Sequence, residues 1–412
     1  MVTMYDLITI GGGAAGFFGS ITAAEHGAEK VLILEKTSKL LGKVKISGGG
    51  RCNVTHNCFE PKQLSKHYPR GDKSLIGPLH RWGAQDTVDW FLARGVELKT
   101  ESDGRMFPIT DDSQTIIDCL TNAACDAGVQ VQTSNGVTSI AQSENDADLA
   151  RFTVTTEKGE QLKTKNLLIA TGGTRLAAGA KLAEQLGHSL VTAVPSLFTF
   201  KITDPLLTDL PGIAVSNTSV SIENTKLQAT GPLLITHWGV SGPGILKLSA
   251  WGARELAEKD YQFILKVNWL PEIDVANAIS ELRSTWGKRQ LSTRCPFEPI
   301  PKRLWARILE LTTIPANQTW AQLSKLHIQE LSKLLNSSRL AVSGKSLNKD
   351  EFVTAGGVPL NDINLKTMES KITPKLFFAG EVMDVDGITG GFNFQNAWMS
   401  GHHAGCAIAQ QI

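Results

Sequence analysis

Three stretches combine residue types and spacings that could carry chemistry. Gly11, Gly13 and Gly16 form G-x-G-x-x-G around Ala14 and Ala15, Ser47 to Gly50 run straight into Arg51, Cys52 and Asn53, and Gly380-Glu381 is followed by Gly390, Gly391, Phe392 and Asn393. Glycine-rich backbone can approach a flat ring closely and present N–H groups to an anion. An arginine or asparagine beside such a loop could polarise a carbonyl or move a proton, so Arg51 and Asn53 are the catalytic candidates there. His237, next to Trp238, is the one histidine that stands out elsewhere.

The first stretch sits between elements that give it meaning. Tyr5 to Ile10 is a short apolar run, a small-residue helix follows the glycines through Ala24, and Lys30 to Leu34 is a second apolar run ending at Glu35. Strand, glycine turn, helix and strand make a dinucleotide grip: Gly11 for the turn, Gly13 for close approach of a pyrophosphate, Gly16 for helix against strand. The free N–H groups of the helix N-terminus suit the phosphates, and Glu35 stands where a carboxylate accepts from ribose hydroxyls. Thr171-Gly172-Gly173 follows another buried-type strand, Leu167 to Ala170, and is expected near the same ligand. Up to this point the grip suits NAD or FAD equally.

Between these stretches, Asp72 to Trp82 and Ala84 to Arg94 have helical spacing, and Asp112 to Ala127 reads as a helix capped by Asp111 or Asp112. VTSIAQ, RFTVTTEKG and QLKTKNLLIATGG read as an antiparallel meander, with turns at Glu144 to Asp148 and Lys158-Gly159. From Pro195 the texture becomes β-rich, then helical from Asp274 with Trp286, Trp305 and Trp320, which are expected to serve packing. The expected organisation is α/β. A Rossmann-like domain from 1–193 and 340–412 surrounds an inserted domain, 194–339, that is β-rich over 194–270 and helical over 271–339.

The chain has 412 residues, with 41 Lys plus Arg against 40 Asp plus Glu and a net charge of +1. Near-neutrality argues against a surface dominated by nucleic acid or anionic membrane. Cys52, Cys58, Cys119, Cys125, Cys295 and Cys406 form no C-x-x-C pair and no metal-ligand cadence, which points to a reduced, cytoplasmic setting and no metal, and gives Cys52 no redox partner motif. No stretch of about 18 apolar residues offers a membrane span.

SGGGRCNVT at Ser47 to Thr55, THWGVSGP at Thr236 to Pro243, TAGGVPL at Thr354 to Leu360 and FAGEVMDVDGITGGFNFQNAW at Phe378 to Trp398 resemble, in order, the BaiN/YhiN-type flavoproteins, also called the aminoacetone-oxidase family, of the glutathione-reductase superfamily. The resemblance implies FAD. It puts the pyrophosphate on Gly11, Gly13 and Gly16 with Ala14 and Ala15, the adenosine ribose on Glu35, and the adenine beside Lys36 and the backbone of Val137. It runs Ser47, Gly48 and Gly49 along the isoalloxazine with Lys43 nearby, and assigns Gly380 and Glu381 to the ribitol or pyrophosphate and Gly391, Phe392 and Asn393 to the pyrimidine edge.

The function expected from this is hydride transfer between flavin N5 and a small organic substrate at the boundary of the two domains. One form is an NAD(P)H-dependent reductase of a conjugated ketone, with the nicotinamide a transient donor because no second G-x-G-x-x-G is present. An amine oxidase using dioxygen is the enzymatic alternative. A flavoprotein acting on or sensing tRNA or another macromolecule is the alternative of another class, with Lys288, Arg289, Arg294, Lys302 and Arg303 as its basic face. The sequence names no substrate and no oligomeric state.

Overall fold

The structure, a computed structural model, describes residues 4–143, 149–173, 178–346 and 353–412, so the turn expected at Glu144 to Asp148 lies outside it. The chain divides into two compact units, Met1–Pro195 with Lys349–Ile412, and Ser196–Asn348.

The first unit is built on a parallel sheet whose strand order is Leu376–Phe378, Gln161–Ile169, Met4–Ile10, Val31–Leu34 and Gln130–Gln132. Its strands read as continuous apolar runs because both faces are covered: Leu7, Ile8, Leu32, Ile33 and Leu167 to Ile169 are fully buried. Register is what makes the site. Ile10 pairs with Leu34 and with Ile169, and Ile169 pairs with Phe378, so the residues after each strand emerge side by side at one edge. The meander expected after Gly136 is present as Val137–Gln142, Phe152–Thr156 and Gln161–Ile169, paired antiparallel.

Two helices cover one another closely in this unit, Ala14–Glu25 after the fingerprint and Phe392–Ala409 at the C-terminal end. Small residues set the approach. A Cβ on Gly401 would stand 2.8 Å from the Ala15 carbonyl oxygen, and one on Gly405 2.6 Å from that of Gly19. The contact register rises together along both helices, so they run in the same direction. Phe18 packs against Trp90 and Trp398, with ring centroids 4.6 and 5.4 Å away.

The second unit contains a closed antiparallel barrel in the order Thr199–Ile202, Gly239–Ser241, Gln228–Thr236, Ala214–Ile222, Phe263–Asn268 and Ser338–Ser346. Closure leaves no strand edge for pairing with another chain. Its core continues into the helical part, where Trp305 and Trp320 are buried and nearly parallel, 6.2 Å apart, and Trp305 Nε1 donates to the Leu291 carbonyl at 2.9 Å. Trp286 is only partly buried. The sequence-based boundary at 340 needs correction: Ser338–Ser346 pairs with Phe263–Asn268 and with Thr199–Ile202, so residues 340–346 close the barrel instead of returning to the sheet.

Among the described residues no helix is long and apolar enough to cross a membrane.

Candidate cofactor site

The three fingerprint glycines do different work. A Cβ on Gly11 would meet the Ala170 carbonyl oxygen at 2.4 Å, and Gly11 has a positive φ of 113°. A Cβ on Gly16 would meet the Gly11 carbonyl oxygen at 2.0 Å. Gly13 has no atom within 4 Å of its Cβ position and an ordinary φ of −94°, so the protein itself would accept a side chain there. Its backbone opens the Ala14–Glu25 helix, which no side chain caps. Uncapped N–H groups beside an open glycine fit a pyrophosphate.

Glu35 ends the neighbouring strand and is held on this turn. Its carboxylate accepts from Gly12 N–H at 2.9 Å and from the N–H and hydroxyl of Thr37, both at 2.8 Å. The Asn135 N–H donates to the Glu35 carbonyl at 3.0 Å and the Ser134 N–H to that of Thr37 at 2.9 Å. Those bonds bring the start of the Val137–Gln142 strand beside Glu35 and Lys36.

The Ser47 to Gly50 stretch departs from a plain loop. Gly42 to Ile46 is helical, Ser47 breaks the helix with ψ 150°, and Gly48, Gly49 and Gly50 follow with φ of 58°, 70° and 85°. Three successive left-handed residues suit only glycine. Gly49 and Gly50 face open space, as do Gly42 and Gly172, whereas a Cβ on Gly48 would strike the Phe107 ring at 2.7 Å. Open glycines on this loop, on the fingerprint turn and after the Gln161–Ile169 strand make a cradle that side chains would fill. Thr171 contributes a buried hydroxyl with no partner among the described residues.

The C-terminal segment supplies the remaining wall. Lys43 and Glu381 form an ion pair, and Glu381 also accepts from Thr354 N–H at 2.7 Å. Gly380 lies against the fingerprint helix, its Cβ position 2.9 Å from that of Ala15, and a Cβ on Gly173 would be 2.8 Å from the Glu381 carboxylate. Gly391, with φ 90°, caps the Phe392–Ala409 helix without a side-chain cap. The structure therefore brings together Gly11 to Gly16, Glu35, Lys43, Thr171 to Gly173, Gly380 and Glu381.

The catalytic candidates Arg51 and Asn53 belong to the first unit and His237 to the second. With its carboxamide oriented to satisfy both neighbours, Asn53 donates to the Thr55 carbonyl at 3.0 Å and accepts from Gly391 N–H at 2.9 Å. It thus fixes the start of the C-terminal helix to the glycine loop. Arg51 donates to Glu101 at 2.6 Å and Asp111 at 3.3 Å, with its guanidinium 4.0 Å over Phe107. His237 belongs to the barrel unit, exposed on the turn between Gln228–Thr236 and Gly239–Ser241. Asn393 spends its carboxamide on Gly387, donating at 2.9 Å and accepting at 2.8 Å, so only its backbone is available to a ligand. Cys52 is fully buried and burial pushes its thiol up to about 12, which keeps it from acting as a thiolate.

Sequence reading missed the residues around Phe392. The imidazoles of His56 and His67 stack on its ring at 4.8 and 4.3 Å, and Tyr68 donates to its carbonyl at 2.7 Å. Burial lowers the His56 pKa below the usual imidazole value, leaving a neutral ring. Arg70 and the fully buried Asp386 form a two-bond ion pair in the same unit. These residues come from separate segments with no motif linking them; the one sequence signal was the density of histidine and tyrosine just after the glycine loop.

The family described as HI0933-like protein Rossmann domain matches residues 5–407. A relative named ribosomal RNA dihydrouridine synthase, from Escherichia coli (strain K12), is 33% identical and covers 96% of each chain. A 3-dehydro-bile acid delta(4,6)-reductase from Clostridium scindens is 27% identical over 98% of each. Among solved structures, the 3-ketosteroid-delta4-(5alpha)-dehydrogenase from Rhodococcus jostii RHA1 is similar in fold, with a TM-score of 0.52 and 15% identity, covering 98% of this chain and 97% of that one. The expectation that nucleic acid is not a partner finds no support in a relative named for ribosomal RNA.

Proposed function

Because the chain belongs to the HI0933-like Rossmann-domain family of FAD-dependent oxidoreductases, we propose that it reduces a carbon–carbon double bond conjugated to a carbonyl, and that the bond is in a uridine of ribosomal RNA. The observation that carries this reading is the end-to-end relative named ribosomal RNA dihydrouridine synthase. The bile-acid relative supports the chemical half, since both names describe two hydrogens added across an unsaturated bond.

FAD, when bound, supplies the two-electron hydride chemistry; the rest falls to the chain. We assign the pyrophosphate to Gly13 and the N–H groups after it, the adenosine ribose to Glu35, and the nucleobase to the Lys36 and Val137 side. Ser47 to Gly49 and the backbone from Gly391 to Asn393 would hold the ring, and the N-terminus of the C-terminal helix would favour negative charge there. Asn53 acts as a positioning residue through Gly391. Arg51 and His56 are the groups proposed to hold a substrate carbonyl or pass the proton that completes the reduction, and His237 is a separate candidate on the barrel unit. A nicotinamide dinucleotide is the proposed reductant.

The test is a reaction of the purified, flavin-loaded protein with NADPH or NADH and ribosomal RNA lacking dihydrouridine, followed by nucleoside mass spectrometry. A nucleoside two hydrogens heavier than uridine supports the reading. Its absence, with a 3-oxo-4-ene bile acid reduced instead, transfers the assignment to a small-molecule enone, the reading favoured by the bile-acid relative.

A further inference from the structure

Several cations on the barrel unit have carboxylate or carbonyl partners. Lys266 and Arg339 pair with Glu223, Arg307 with Glu310, and Arg303 donates to the Asp209 carbonyl. One group differs. Arg283, Lys288, Arg289 and Arg294 are exposed, and none forms an ion pair with a described carboxylate. Two of them lie over Trp286, whose ring is 4.7 Å from the Arg289 guanidinium and 6.0 Å from that of Arg294, and Arg283 and Lys288 are its near neighbours in sequence.

This group is held in place by backbone. Trp286 N–H donates to Leu282 at 2.8 Å, Ala321 N–H to the Gly287 carbonyl at 3.0 Å and Trp320 N–H to the Arg289 carbonyl at 3.1 Å. The loop is thereby fastened to the buried Trp320. Unlike Trp305 and Trp320, Trp286 keeps part of its ring at the surface. In a chain with a net charge of only +1, four cations within residues 283–294 that have no carboxylate partner among the described residues, two of them over a partly exposed indole, are a local concentration of charge that composition conceals. Guanidinium groups meet phosphates, and an aromatic face accepts a stacked base.

We infer that Trp286, with Arg283, Lys288, Arg289 and Arg294, is an RNA-docking surface. The inference rests on the ribosomal RNA reading above and names the part of the chain that grips the RNA away from the reacting base. Arg289 and Arg294 take backbone phosphates, and the indole stacks on an unpaired base.

The experiment measures binding of the flavin-loaded full chain to phenol-extracted ribosomal RNA across a salt series, beside the Arg289→Glu/Arg294→Glu and Trp286→Ala variants. Flavin absorbance and thermal midpoint are recorded for each to verify folding. The charge-reversed protein is expected to bind at least about tenfold more weakly at about 0.1 M salt, with a log–log salt slope smaller by about one to two. Trp286→Ala is expected to weaken binding with little change in slope, and Trp286→Phe to restore most of it. If the native chain binds RNA and the folded variants bind equally well, the docking surface is wrong and the ribosomal RNA reading stands. If the native chain binds no RNA, both fall; binding only to vesicles containing phosphatidylglycerol, lost in the same variants, would make the surface a membrane contact and overturn the inference.

Discussion

The carbonyl oxygen of Gly11 lies 2.0 Å from where a Cβ of Gly16 would stand, while the Cβ position of Gly13, between them, is clear of every atom to 4 Å. One fingerprint therefore contains a glycine required by the fold and another at which the fold leaves room for a side chain.

Substitution separates the two. Gly16→Val is expected to destabilise the protein by about 1–3 kcal/mol or more through overpacking, seen as a lower thermal midpoint of the flavin-free chain. Gly13→Val is expected to leave that midpoint within about a degree or two and to abolish the yellow colour of the purified protein. Full flavin content in Gly13→Val would mean that the phosphates lie elsewhere.

Asn53 and Gly391 form the second test. Asn53→Ala leaves the Gly391 N–H without its acceptor and frees the start of the C-terminal helix. FAD affinity, titrated into the flavin-free protein, is expected to fall about tenfold, in line with about 1–2 kcal/mol for a buried hydrogen bond. Asn53→Asp, which can still accept, is expected to lose less. Equal affinity in all three proteins would remove Asn53 from the site.

Arg70 and Asp386 predict a stability effect. Asp386 is fully buried, so Asp386→Ala leaves a guanidinium without its carboxylate in a dry setting. A loss of about 3–5 kcal/mol is expected in denaturant unfolding. A loss below about 1 kcal/mol would show that water reaches the pair.

Acid sensitivity follows from His402. Burial, then the charges of His403 and His26, push its pKa from 6.5 down to about 3, and its ring stacks on Trp82 at 3.7 Å. The folded state holds this imidazole neutral while the unfolded chain protonates it near 6.5. Its contribution is complete above that pH and is lost as pH falls toward about 3. The thermal midpoint should therefore drop between about pH 6.5 and 4, and His402→Phe, which keeps the stack, should flatten the drop. An unchanged pH profile in that variant would assign the sensitivity to His56, His188 and His403, which burial also depresses.

What sequence revealed and what it concealed follow from the range of the interactions. The Gly11 to Gly16 turn, the capping role of Asp112 and the buried strand before Thr171 are local, and each was readable from a handful of neighbours. Ser338–Ser346 was not legible as a barrel strand, because its partners Thr199–Ile202 and Phe263–Asn268 are distant in the chain and only three-dimensional pairing defines its place. The ion pairs of Arg51 to Glu101 and Asp111, and the gathering of His56 and His67 on Phe392, likewise depend on tertiary contact. Trp286 looked like Trp305 and Trp320 in sequence, and only its partial exposure distinguishes it.

The most direct test of the central claim is an anaerobic pair of half-reactions on the flavin-loaded protein. NADPH or NADH should bleach the flavin, and ribosomal RNA lacking dihydrouridine should restore its absorbance in proportion to the uridine reduced. A flavin that stays reduced with that RNA, and is reoxidised only by an enone steroid or by dioxygen, would contradict the account.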